Sequence, residues 1–272
     1  MTKRALSLLL LCLLMLVAAR SRAETPEEGY AAALVALGKG ADNEAIDRLE
    51  LLADQGVVSA DASLARAAAY LARADGTRAQ PGDLGRAAAA LNEALLLRPD
   101  DAKTEHALEE VQAEIARRRS KQDSSVVVRP RLTRALVGLL SEQAWAMLAA
   151  FSSLVVTLGL VARRITERPL PRLSGLVAIY VGALLLLLFG GAAYAAEQFR
   201  STSQPAVVVV PEARLTNEAG RPLAAKRGAE TTAVPEGATV YVRERREGRC
   251  LIEWGSTDGW VSLSDVRLLT AA

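Results

Sequence analysis

Two long apolar runs with a short basic stretch between them constrain this chain more than any other feature. The first is Ala144 to Ala162 and the second is Leu173 to Ala196; neither contains Lys, Arg, Asp, Glu or His. A bilayer core of about 30 Å takes roughly 20 helical residues to cross, and both runs reach that length. Lipid offers no partner to a backbone N–H or C=O, so such a run crosses as a helix, whose bonds are internal. The alternative is a pair of core helices in a large soluble protein, but buried helices seldom stay free of charge for so long. The sequence therefore predicts a multidomain membrane protein: a two-helix transmembrane hairpin, spanning 143–162 and 173–196, with a soluble arm on each side.

A length of 272 residues leaves room for two small domains beside the hairpin. The net charge of +2 excludes the broad basic field that nucleic-acid binding usually needs. At the start, Lys3 and Arg4 precede an apolar stretch, Ala5 to Ala19, and then Ser21-Arg22-Ala23. Small residues at the −3 and −1 positions before Glu24 make 1–23 a secretory signal peptide. An uncleaved anchor fits the same residues. Either way, the residues after 24 are exported. Of the two cysteines, Cys12 lies in this leader. Cys250 is then alone, which excludes an intramolecular disulfide or a cysteine zinc site, and it is expected to be buried in a strand.

Residues 24–120 have helical periodicity and almost no β-branched runs. Ala45, Leu49 and Leu52 recur as Ala87, Leu91 and Ala94, each trio at i, i+4, i+7 on one helix face. Gly82 opens the second of these helices and Pro99 stops it after Arg98. Leu64, Ala67, Ala68 and Leu71 are the expected packing positions of the helix before it. Asp101 caps a last helix with Leu108, Val111 and Ile115 inward. The arm resembles a tetratricopeptide repeat domain, with Gly82, Ala87, Leu91, Ala94 and Pro99 in the family's places. A generic alanine-rich array of helical hairpins is the alternative. The resemblance implies a concave face for a peptide or a protein surface. Because Ala62, Ala65, Ala69 and Ala72 dominate the helix that would line it, a smooth apolar groove for a partner helix is expected, without a Lys/Asn carboxylate clamp.

Residues 121–142 form the expected juxtamembrane linker, whose Arg131–Ser141 part is amphipathic. Between the spans, 163–172 reads as a basic loop with Arg163, Arg164, Arg168 and Arg172 against Glu167 alone. Positive short loops favour the cytoplasm. Arg129, Arg131 and Arg134 oppose this, but the loop charges are denser and the leader agrees with them. Both arms are thus expected outside a bacterial cytoplasmic membrane. Ala149, Ser153 and Thr157, and likewise Ser174, Ala178 and Gly182, form small-residue stripes. Such stripes let two helices approach closely, here the two spans or a partner's span.

After the linker 197–205 the pattern becomes β over 206–270, with expected strands at 206–210, 238–243, 249–254, 259–263 and 266–269. Five short strands suit a small barrel. Pro235 to Val240, Cys250 to Trp254 and Asp258 to Val266 resemble a bacterial SH3 domain, the last through its Gly259-Trp260-Val261 strand and the turn containing Asp265. Trp260 is expected in barrel packing, while Tyr241 and Trp254 are candidates for an exposed aromatic ligand surface.

No histidine cluster, metal spacing, nucleophile elbow or phosphate loop occurs, so no enzyme activity, cofactor or metal is expected; the one histidine, His106, reads as a surface residue. The order of leader, helical repeats, hairpin and SH3-like barrel resembles the BatE-type proteins of the Bacteroides aerotolerance group. That resemblance implies a membrane scaffold whose partners are membrane proteins with von Willebrand factor A domains and a MoxR-type ATPase. A cell-wall anchor, holding peptidoglycan or a wall peptide through the barrel, is the alternative.

Overall fold

The computed structural model describes residues 25–121, 136–165, 169–223 and 232–269, with backbone alone over 169–172. The expected leader, residues 122–135 of the expected linker and Arg168 lie outside the described residues. The chain divides into two compact units.

The first unit is helical: α1 (Pro26–Gly38), α2 (Asp42–Asp54), α3 (Ala60–Asp75), α4 (Asp83–Leu97) and α5 (Ala102–Ser120). Local chemistry sets the ends. Thr25 and Glu28 form a reciprocal capping box, and Pro26 occupies the first turn, where no N–H is missed. Gly82 precedes α4 at φ +90°, a conformation side chains resist. α4 ends at Leu97, one residue before the expected stop, because Pro99 drives Arg98 out of the helical region. Asp101 caps α5 by accepting from the Lys103 N–H at 3.1 Å. Each helix packs on the one before it.

Ala45, Leu49 and Leu52 of α2 and Ala87, Leu91 and Ala94 of α4 are all buried. Most belong with Ala33, Ala36, Ala65, Ala69 and Tyr70 to a core in which small residues let helices approach closely. α3 is rotated from its expected setting. Ala67 is buried as expected, but Ala68 is exposed and Leu64 and Leu71 are only half-buried, whereas Ala65 and Ala69, expected to line an open groove, are buried.

The second unit holds α6 (Glu142–Ile165) and α7 (Pro169–Thr202), followed among the described residues by seven strands. Both helices are long and apolar enough to cross a membrane, and both outrun their expected bounds. Arg163 and Arg164 belong to the last turn of α6, and Arg172 to the start of α7. The expected loop 163–172 is therefore mostly helical, as is the expected linker 197–205 up to Thr202. Pro169 and Pro171 permit this, because proline is tolerated in a first helical turn.

The strands are β1 (Gln204–Val208), β2 (Glu212–Arg214), β3 (Ala233–Pro235), β4 (Thr239–Arg246), β5 (Arg249–Trp254), β6 (Thr257–Ser262) and β7 (Val266–Leu268). Five form an antiparallel sheet in the order β6-β5-β4-β1-β7, and β2 pairs with β3. A 3-10 turn, Leu263–Asp265, leads into β7. β1 starts and ends two residues earlier than expected, and the short β2/β3 ribbon carries too few residues to show an alternation in sequence.

Candidate functional site

In the helical unit the distinctive feature is a chain of buried charges that apolar periodicity does not report. Arg66 and Arg73 sit seven residues apart on α3 and both are buried. Arg66 pairs with Glu93 of α4 and lies 3.7 Å from Glu50 of α2. The Tyr70 hydroxyl donates to Glu50 at 2.8 Å. Arg73 donates to Asp83 of α4 at 2.5 and 3.1 Å and to Asn43 of α2 at 3.0 Å. The Asp83 hydrogen bonds raise the pKa of Arg73, and burial with the nearby Glu50 raises that of Tyr70. Three helices are thus tied in one register. The signal in the sequence is the pair of arginines at helical spacing, with Tyr70 between them, on a helix otherwise rich in alanine.

Outside this network, α3 leaves Ala68 and Ala72 exposed and Leu64 and Leu71 half-exposed, bounded by exposed Asp61 and Asp75. This stripe is apolar, charged only at its ends, and one helix face wide.

The hairpin is held by backbone proximity. A Cβ on Gly175 would lie 2.9 Å from the Gly159 carbonyl oxygen, and one on Gly182 would lie 2.8 Å from Val156 Cγ2. The seam therefore runs through Ser152, Val156 and Gly159 of α6 against Gly175, Ala178 and Gly182 of α7. Ala178 and Gly182 sit on it as read from the sequence. Ser153, Thr157 and Ser174 do not: they are exposed, and Ala149 is half-buried. The correction amounts to one residue, or about 100° of rotation on a helix. It arises because glycine admits a closer approach than serine, so the glycines choose the seam. Away from the loop, Arg200 pairs with Glu142 at 3.2 Å, and Trp145 leans on Phe189 with ring centroids 6.0 Å apart. The Trp145 indole donates to the Val137 carbonyl at 2.9 Å. The outward faces carry exposed Met147, Phe151, Leu154, Leu184 and Leu187.

In the sheet, cross-strand register sorts the aromatics. Cys250 faces Val261, and Ile252 faces Gly259 on one side and Val242 on the other, forming the apolar interior. Gly259 is required there, since a Cβ would lie 2.8 Å from Leu215 Cβ. Trp260 pairs with Leu251 on the opposite face, so it is buried but outside that interior. The Arg246 and Arg249 guanidinium groups lie 6.0 and 5.8 Å from its ring centroid. Tyr241 pairs with Glu253, while Trp254 follows Glu253 and points to the other side. The two aromatics expected to share a ligand surface are thus on opposite faces, and both are half-buried. Asp265 ends the 3-10 turn half-buried and accepts from the Ser264 hydroxyl at 3.2 Å. A bulge at Arg243 turns it toward buried Glu253 at 2.7 Å and Asp258 at 3.5 Å.

Among the described residues no group of three or more His, Cys, Asp or Glu is gathered as for a metal, and His106 lies exposed beside Glu109 and Glu110. No family model, curated protein or solved structure matches this chain.

Proposed function

We propose that this protein is a membrane-anchored scaffold of the cell envelope that holds protein partners through its helical unit and performs no chemistry of its own. The observation that carries this reading is the Leu64, Ala68, Ala72 stripe of α3, left open beside Leu71, which packs partly against the core, on a helix whose other face is pinned by Arg66 and Arg73. A rigid helix with an uncovered apolar stripe suits a partner helix laid along it. The exposed apolar flanks of α6 and α7 support a lipid setting, since no protein covers them in this chain. Their antiparallel course, with Glu142 paired to Arg200, supports both arms leaving on one side, and the arginines at the turn support that side being outside.

The five-stranded order with a 3-10 turn before the last strand supports an SH3-like barrel, and the five-helix stack supports tetratricopeptide-like repeats. With the resemblance of the whole order to BatE-type proteins, the partners proposed are a von Willebrand factor A-domain membrane protein and a MoxR-type ATPase. The wall-anchor alternative has no shared aromatic shelf to rest on, because Tyr241 and Trp254 face apart. The test is co-purification of the full chain from membranes with such an A-domain protein. Ala68→Arg with Ala72→Arg is expected to abolish recovery. Recovery that survives both substitutions, or retention of the chain on purified cell-wall sacculi instead, defeats the proposal.

A further inference from the structure

We infer that α1 is a self-association surface whose occupant is the α1 of a second copy, lying antiparallel. The two ends of the helical stack differ in kind. α5 turns Lys103, Glu105, Glu109 and Gln112 to solvent, the polar outer face that a terminal helix of a stack needs. α1 lacks such a face. After Glu28 it reads GYAAALVALG, apolar all round, a composition that calls for neighbours on every side. One side meets α2 and α3. The other exposes Ala31, Leu34, Val35 and Gly38 at i, i+3, i+4, i+7, with Leu34 42% and Val35 55% exposed.

Charge and shape select a second copy as the occupant. Exposed Glu27 stands at one end of this stripe and exposed Lys39 at the other. An antiparallel partner brings Glu27 against Lys39 twice, whereas a parallel one sets like charges together. The same register lays Ala31 opposite Val35, small against large, and the arrangement closes on a two-fold axis. A single 13-residue helix offers less than the roughly 800 Å² per partner of a standard stable interface. Pairing is therefore weak between free molecules and strengthened by tethering to one membrane, which raises local concentration. The inference does not rest on the scaffold reading, since it concerns a different helix face from the α3 stripe.

The test is subunit counting by single-molecule photobleaching of the full chain in phosphatidylcholine/phosphatidylglycerol vesicles, at low protein density. Dimers are expected. Leu34→Gln with Val35→Gln should lower the dimer fraction at least tenfold while the far-ultraviolet helical signal is unchanged, both side chains being exposed. Glu27→Lys alone and Lys39→Glu alone should each weaken pairing, and the two together should restore it. A monomeric wild type overturns the inference, whether its α1 is covered by its own leader or by another protein. So does a dimer indifferent to Leu34 and Val35, or a double charge swap that fails to recover.

Discussion

Cys250 sits fully enclosed in β5, and that enclosure decides its chemistry. Burial pushes the thiol up to about 11 from an ordinary 9.0, so at neutral pH it holds its proton and is a poor nucleophile. The native chain should resist iodoacetamide at pH 8 and react at this site only in denaturant, with the adduct read by mass. The folded thiol binds its proton more tightly than the unfolded one, so its contribution is complete below pH 9 and lost as pH rises toward 11. The stability of the sheet should therefore fall across that window, and Cys250→Ala should flatten the slope; an unchanged slope refutes the assignment. The Arg66–Glu93 pair belongs to the same scale. Arg66→Met removes the guanidinium partner from a buried carboxylate and should cost about 3–5 kcal/mol. Joining it to Glu93→Leu should recover much of that loss, because the buried Glu93 carboxylate left without its partner is then gone. Urea unfolding monitored by helical circular dichroism measures both.

Glycines set the helix seam in the hairpin, and the consequence can be tested one helix face at a time. Gly182→Leu places a side chain where Val156 already stands 2.8 Å from an added Cβ. It should force α6 and α7 apart, at the 1–3 kcal/mol typical of overpacking. Thr157→Leu, on an exposed position, should be neutral. Disulfide trapping between cysteines placed at Trp145 and Phe189, whose rings meet across the two helices, in a chain lacking the native thiols reads the difference: Gly182→Leu should lower its yield, and Thr157→Leu should not. Apart from the short β2/β3 ribbon, the elements were legible in the sequence because each carries a local signal. The apolar length of α6 and α7, the spacing of Ala87, Leu91 and Ala94, and the alternation in β5 are properties of single segments. What escaped depends on which segments meet. A helix of small residues offers several plausible faces, and only the partner's glycines decided for Gly159 over Thr157. The facing of Tyr241 and Trp254 required the cross-strand register, and the rotation of α3 required Arg66 and Arg73 to find carboxylates on two other helices.

At the scale of the whole molecule, the proposed membrane hairpin would govern where everything else resides. Were α6 and α7 both to cross, two antiparallel spans would return the chain to the face it left, and one charge bias would orient both soluble arms at once. That bias comes from Arg163 and Arg164 in the last turn of α6, with Arg172 at the start of α7. At the opposite end Arg200, paired with Glu142 at 3.2 Å, is a single cation set against these three. An arginine within a turn of the bilayer edge counts fully in this rule, so drawing the loop charges into helix ends leaves their influence intact. Single cysteines at Lys103 in α5 and at Gly248 in the β4–β5 turn, in a chain lacking the native thiols, should both react with a membrane-impermeant maleimide on intact spheroplasts. A cysteine at Arg164 should react only after permeabilisation. Replacing Arg163, Arg164 and Arg172 together by Ser should produce a mixed population, in which a fraction of chains shields Lys103 and Gly248 positions alike. Labelling of one arm without the other would mean that only one of the two helices crosses, and the hairpin would have to be abandoned.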